Sequence, residues 1–127
     1  RGFKEYNTVF ENEFLKTISH YLTTNQNYIV KDKVKVSSIF NNDEIKNMNY
    51  FLTSEFDFVL FEKGTQKPVL AIELNGIEHL TDESVKMRDK NKKEICKQKK
   101  LKLISIPNNY ARRYQYIKNI IQKILKV

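Results

Sequence analysis

The sequence predicts an α/β domain. Apolar residues recur at helical spacing near both ends and again in the third quarter of the chain, and strict alternation marks the short stretches between them. The resulting order is helix, strand, strand, strand, helix, strand, helix. A chain of 127 residues can bury about two-thirds of its unfolded surface around one core, so a single domain over 1–127 is expected and a second does not fit.

The first helix is expected from about Thr8 to Thr23, where Phe10, Phe14, Leu15, Ile18, Tyr21 and Leu22 repeat at helical spacing. Glu11 falls on the line of Leu15, Ile18 and Leu22, whereas Glu13 points elsewhere. Two readings of Glu11 stand: an acid directed at a site, or the closing residue of a capping box begun by Thr8. Tyr28 to Val36 alternates, with Val30, Val34 and Val36 on one face and Lys31, Lys33 and Lys35 on the other, as in a half-exposed strand. Ser37 to Ser54 is polar and irregular with embedded apolar residues, and is expected to form a covering loop with room for a short helix.

Two strands follow within Glu55 to His79, joined by a turn over Lys63–Pro68 that Gly64 and Pro68 favour. In the first, Phe56, Phe58 and Leu60 share one face and Asp57, Val59 and Phe61 the other. In the second, Leu70, Ile72 and Leu74 oppose Val69, Ala71, Glu73 and Asn75. Each strand therefore carries an acid on a face shared with apolar residues. A carboxylate enclosed by Val, Ala and Phe loses hydration, at a cost of several kcal/mol unless a cation or hydrogen bonds replace the water. Two on adjacent strands also repel, so a divalent metal is a natural occupant. A lone strand acid ordinarily ends in solvent. Two in matched positions, followed by Asn75-Gly76 and His79, give the metal reading equal standing.

A helix is expected from about Thr81 to Lys100, with Thr81 or Asp82 as its N-cap. At 100° per residue Lys86, Lys90, Lys93, Lys97 and Lys100 form one stripe. Lys92 falls instead in the sector bounded by Val85, Ile95 and Cys96, facing the protein, with Asp89 at its edge; outward snorkelling of its stem is the competing reading. Leu101 to Pro107 is a compact apolar strand, and Tyr110 to Val127 closes the chain as an amphipathic helix.

The net charge is +8, and its location says more than its size. Lys86 to Lys102 holds nine basic residues against two acids, so nearly all the excess lies in one segment. Such a face is the electrostatic footprint of a polyanion, although a solvated lysine-rich helix carries the same charge. With 40% hydrophobic residues, 15 aromatics and only 3 Gly and 2 Pro, the composition is globular. No apolar run approaches the roughly 20 residues that span a bilayer. The single cysteine, Cys96, excludes an internal disulfide and any multi-cysteine zinc site and fits a reducing, cytoplasmic location. A chain opening Arg1-Gly2-Phe3 without Met is expected to be a piece of something longer.

The element order, with Asp57 followed after 16 residues by Glu73-Leu74-Asn75, resembles the PD-(D/E)XK nuclease-like superfamily. More narrowly, the run AIELNG, then His79, Arg88-Asp89, Lys92 and LKLISIP is similar to a bacterial branch related to the Vsr-type repair endonucleases, an uncharacterised domain often attached to helicases. The similarity covers about residues 8 to 107, through short motifs. It implies an αβββαβ core with a mixed central sheet flanked by helices, and phosphodiester hydrolysis of DNA with Mg²⁺ or Mn²⁺. Asp57 and Glu73 would be metal ligands, joined by Glu11 and the Leu74 carbonyl. Asn75 stands where the superfamily has its lysine. Lys92 is then the substitute for the water-activating ammonium, with Asp89 and His79 nearby, and Lys86, Lys90, Lys93, Lys97 and Lys100 would hold the nucleic acid. A catalytically inactive nucleic-acid-binding module is the alternative that Asn75 favours, and a purely structural or protein-binding domain is a third.

Overall fold

A computed structural model describes residues 9–40, 54–75 and 83–125, with the side chains of residues 75, 84–86, 88 and 89 outside that description. The elements are α1 (Val9–Leu22), β1 (Tyr28–Lys35), the single turn α2 (Val36–Ile39), β2 (Glu55–Glu62), β3 (Pro68–Asn75), α3 (Glu83–Lys99), β4 (Lys102–Pro107) and α4 (Tyr114–Leu125), with a 3₁₀ turn over Asn108–Tyr110. This is the predicted order, with α2 as the short helix allowed for after β1. Residues 41–53 of the expected covering loop lie outside the described residues.

The four strands form one mixed sheet in the order β1-β2-β3-β4. β1, β2 and β3 are antiparallel neighbours, and β3 and β4 are parallel. A parallel pair needs a crossover connection, and α3 is that connection. Helices lie on both faces of the sheet, which gives three layers and two apolar clusters.

On one face Phe14, Ile18 and Tyr21 of α1 and Ile117 and Ile121 of α4 pack against Phe58, Leu60, Leu70, Ile72, Leu74 and Ile106. Phe14 and Phe58 meet with ring centroids 4.7 Å apart. The stripe α1 buries is thus Glu11, Phe14, Ile18 and Tyr21. Leu15 and Leu22 pack at its margin, because the aromatic contact turns the helix toward Phe14. On the other face Ile95 and Cys96 of α3 cover Val59, Phe61, Ala71 and Leu101, and the cluster continues to Val34, Val36 and Phe56.

The faces of β3 follow the alternation from Leu70 to Leu74, whereas Val69, expected on the face of Ala71, packs in the first cluster with Leu70 beside the register shift at Leu60/Phe61; those of β1 and β2 change partway. Val30 packs in the first cluster and Val34 in the second; likewise Phe58 packs in the first and Phe56 in the second. The pairs Asp32↔Phe58 and Val34↔Phe56 bracket Lys33 and Asp57. Lys33 has φ 50°, a left-handed conformation that costs a non-glycine residue roughly 1 kcal/mol and breaks the period of two. In the β2–β3 turn the left-handed residue is Gln66 (φ 63°) and not Gly64. Glu62 N–H donates to the Lys67 carbonyl and Gln66 N–H to the Glu62 carbonyl, both at 2.8 Å.

α3 ends without glycine. Leu101 N–H donates to the Cys96 carbonyl at 2.9 Å and Lys100 N–H to the Lys97 carbonyl at 3.3 Å. This is the paired C-terminal cap in which the residue after the helix is left-handed, here Lys100 at φ 62°.

Phe58 is fully buried and touches both α1 and the neighbouring strand. Phe58→Ala is expected to cost about 3–5 kcal/mol of unfolding free energy, read from urea denaturation. Val9→Ala, at a side chain 70% exposed, should stay within about 0.5 kcal/mol of the parent.

Candidate functional site

The site is created where the middle of the sheet opens. β2 and β3 pair from Phe61↔Pro68, through a register shift at Leu60/Phe61, as far as Phe58↔Ile72 and stop there. Beyond that rung β2 stays on β1 as far as Glu55, and β3 stays on β4 as far as Asn75. The two central strands therefore follow different partners and leave a fork between them. Asp57 stands on one prong and Glu73 on the other.

Backbone groups in the fork lose their ladder partners and must find others. The two acids supply them crosswise. Asp57 N–H donates to Glu73 Oε2 at 3.2 Å, and Leu74 N–H donates to Asp57 Oδ2 at 2.8 Å. Each carboxylate thus accepts from the opposite strand.

The second oxygen of Glu73 meets α3. Lys92 Nζ donates to Glu73 Oε1 at 3.0 Å, with the two side chains 11% and 7% exposed. Lys92, Ile95 and Cys96 lie on the sheet-facing side of α3, so the lysine faces inward. Its ammonium also lies 5.9 Å from the centroid of the Phe56 ring, within reach of a cation–π attraction. That contact is not legible in the residue pattern, because Phe56 reaches this face only through the break in alternation.

Burial, and after it the negative charge of Asp57, pushes the Glu73 carboxyl up to about 7, while Lys92 pulls it back. The nearby Cys96 thiol is pushed up to about 12, first by burial and then by Glu73. It is an inert thiol at neutral pH. Glu73 therefore takes up and releases a proton near neutrality beside a fixed ammonium.

Asp57, Glu73 and Lys92 are together, and Leu74 joins them through its N–H. Glu11 is buried in the first turn of α1, on the face of the first apolar cluster. The charged groups acting on Glu73 are Asp57 and Lys92. Among the described residues no group of three or more His, Cys, Asp or Glu side chains is gathered so as to hold a metal ion. His79 and the capping residue Thr8 lie outside the described residues, as do the side chains of Asn75, Lys86 and Asp89. Lys90, Lys93, Lys97 and Lys100 are exposed. Among the described residues no helix is long and apolar enough to cross a membrane.

Together these features define a three-layer α/β domain with a buried glutamate, a half-buried aspartate and an ammonium at the open centre of its sheet. Residues 7–124 match the family described as protein of unknown function DUF2726, and the chain belongs to that family. No curated protein and no solved structure matches it.

Folded Glu73 keeps its proton up to about pH 7, whereas the unfolded chain releases it near 4.5. Between these values the folded state binds more protons, so stability falls as pH rises, by roughly 1–3 kcal/mol across the window. Urea unfolding from pH 4.5 to 8 should show this decline, and Glu73→Gln should flatten it.

Proposed function

We propose that the chain is a metal-dependent phosphodiester hydrolase acting on DNA, a nuclease domain of the PD-(D/E)XK-like superfamily and its Vsr-related branch. What carries this is the fork, in which carboxylates from two strands and an ammonium from α3 share one part-buried site.

Carboxylate oxygens are the donors a hard divalent cation prefers. Burial and a neighbouring carboxylate hold Glu73 toward its neutral form, and both effects are reversed by a doubly charged ion. Asp57 and Glu73 would hold Mg²⁺ or Mn²⁺ through carboxylate oxygens, with the Leu74 carbonyl and Glu11 as the further donors the family resemblance implies. When bound, the ion supplies a Lewis acid for the scissile phosphate and makes a water more acidic.

The protein's own groups do the rest. Lys92 takes the part of the motif lysine that Asn75 replaces: its ammonium positions the attacking water and stabilises charge developing on the phosphate. The Asn75 amide and His79 would orient that water or the phosphate. Lys86, Lys90, Lys93, Lys97 and Lys100 would position a strand without choosing its sequence. In this role the chain would serve as a cytoplasmic module of a DNA-processing or defence protein, fused to or associated with a helicase or similar partner.

The second reading is a nucleic-acid-binding module that has lost hydrolysis, favoured by the neutral Asn75 in place of lysine. The two separate on one set of assays. The purified chain is expected to cut DNA with Mg²⁺ or Mn²⁺. Asp57→Ala and Glu73→Ala should abolish cutting, and Lys92→Ala should slow it by about 10²–10⁴-fold. Calorimetric titration should give Mn²⁺ binding that Glu73→Ala removes. Salt-sensitive DNA binding without cleavage, indifferent to Asp57→Ala and Glu73→Ala, selects the inactive module. An absence of both Mn²⁺ binding and cleavage in the parent chain overturns the hydrolase.

A further inference from the structure

The described residues that adopt a left-handed backbone, Lys33, Gln66 and Lys100, are all non-glycine. Each of them lines one of two clefts. The first, about 490 Å³, is bordered by Lys31, Lys33 and Lys35 of β1 and by Gln66. The second, about 330 Å³, is bordered by Lys67 from the β2–β3 turn and by Lys99 and Lys100 at the end of α3. Ile39 of α2 is a wall of both. The clefts therefore adjoin.

Six lysines border this path, and Asp32 is the one acid among the residues lining it. Lys31, Lys35, Lys67 and Lys100 are exposed, and Lys33 and Lys99 half-exposed. Such a concentration of positive charge along one path favours an anionic partner. Lysine also stands at Lys33 and Lys100 where glycine would be unstrained, and strain of that kind collects at binding sites. The second cleft adds apolar surface from Phe40 and Pro68. Lys100 then connects it with Lys97, Lys93 and Lys90, exposed along α3.

We propose that these joined clefts are a binding groove for a single-stranded nucleic acid, separate from the fork at Asp57 and Glu73. Phosphates lie on the lysines from β1 and from the end of α3, and bases rest on Phe40 and Pro68. A continuous linear charge is needed to use lysines from three separate elements at once. Clefts of about 330 and 490 Å³ are of the size of single nucleotides. The proposal does not depend on hydrolysis, because binding is measured in EDTA.

The test is fluorescence anisotropy of a labelled oligodeoxythymidylate over a range of salt concentrations. The groove variant Lys33→Gly, Lys67→Gln, Lys100→Gly should bind at least about tenfold more weakly, and its plot of log affinity against log salt should be shallower by about 2, from a slope near 0.7 per phosphate. A control that removes three charges elsewhere, Lys16→Gln, Lys118→Gln, Lys123→Gln, should change little. Equal losses in both overturn the groove, as does tighter binding of a duplex or displacement by polyglutamate as effective as by unlabelled oligonucleotide. Lys100→Gly alone should weaken binding while its melting temperature holds or rises. A fall in both would make Lys100 a structural residue and defeat the proposal.

Discussion

A carboxylate that cannot reach water governs this molecule. Glu73 is 5% exposed, and an ionised acid at that depth costs several kcal/mol unless its oxygens are satisfied. Both are, by the Asp57 N–H and the Lys92 ammonium. The first bond requires that β2 and β3 stop pairing after Phe58↔Ile72, since an intact ladder would use that N–H itself. The second requires that α3 present Lys92 to the sheet. Once Lys92 is inward, Ile95 and Cys96 are inward with it, and Lys90, Lys93 and Lys97 are left in solvent. One acid thereby accounts for the opening of the sheet and for the side of α3 that carries its charge.

The element order was legible because periods of 3.6 and 2 are properties of local sequence. β3 is read correctly at every position from Leu70 to Leu74 because nothing interrupts its backbone. β1 and β2 are misread beyond Val30 and Phe58, where Lys33 takes a left-handed conformation that glycine or asparagine usually announces. Lysine carries no such signal. For the same reason the sequence does not announce Gln66 as the left-handed residue of the expected Lys63–Pro68 turn, nor the cap at Lys100. The stripe of α1 was placed slightly off, since Phe14 and Leu15 fit a helical face equally well until Phe58 selects one of them.

The site was legible to the extent that chemistry depends on residue type. Asp57 and Glu73 stood out as acids among apolar neighbours, and the helical wheel alone separated Lys92 from the outward lysines. The crosswise hydrogen bonds were not foreseeable, because they depend on where pairing between two strands ends. Nor was the closeness of Phe56 to Lys92 or of Cys96 to Glu73. Leu74 illustrates the limit: the resemblance drew attention to its carbonyl, whereas the bond seen here uses its N–H.

The ion pair has a further consequence when weighed against the simplest alternative. A buried Lys–Glu pair is seldom worth more to stability than a well-packed apolar pair of similar volume, and Glu73 is additionally placed beside Asp57, which opposes its ionisation. Packing alone would be better served by leucine or methionine at these positions. Apart from a proton on Glu73, two nearby acids are relieved by something more positive than one ammonium. On the proposed reading a divalent cation takes that part, and a negatively charged substrate follows it. α3 is a continuous helix with Lys92 at the fork and Lys99 at its far end, about 10 Å apart at 1.5 Å per residue, and Lys100 follows directly. A strand lying on the lysines near Lys100 would thus be held at a fixed distance from the carboxylates, and the same helix that neutralises Glu73 would set where a bound polyanion meets it.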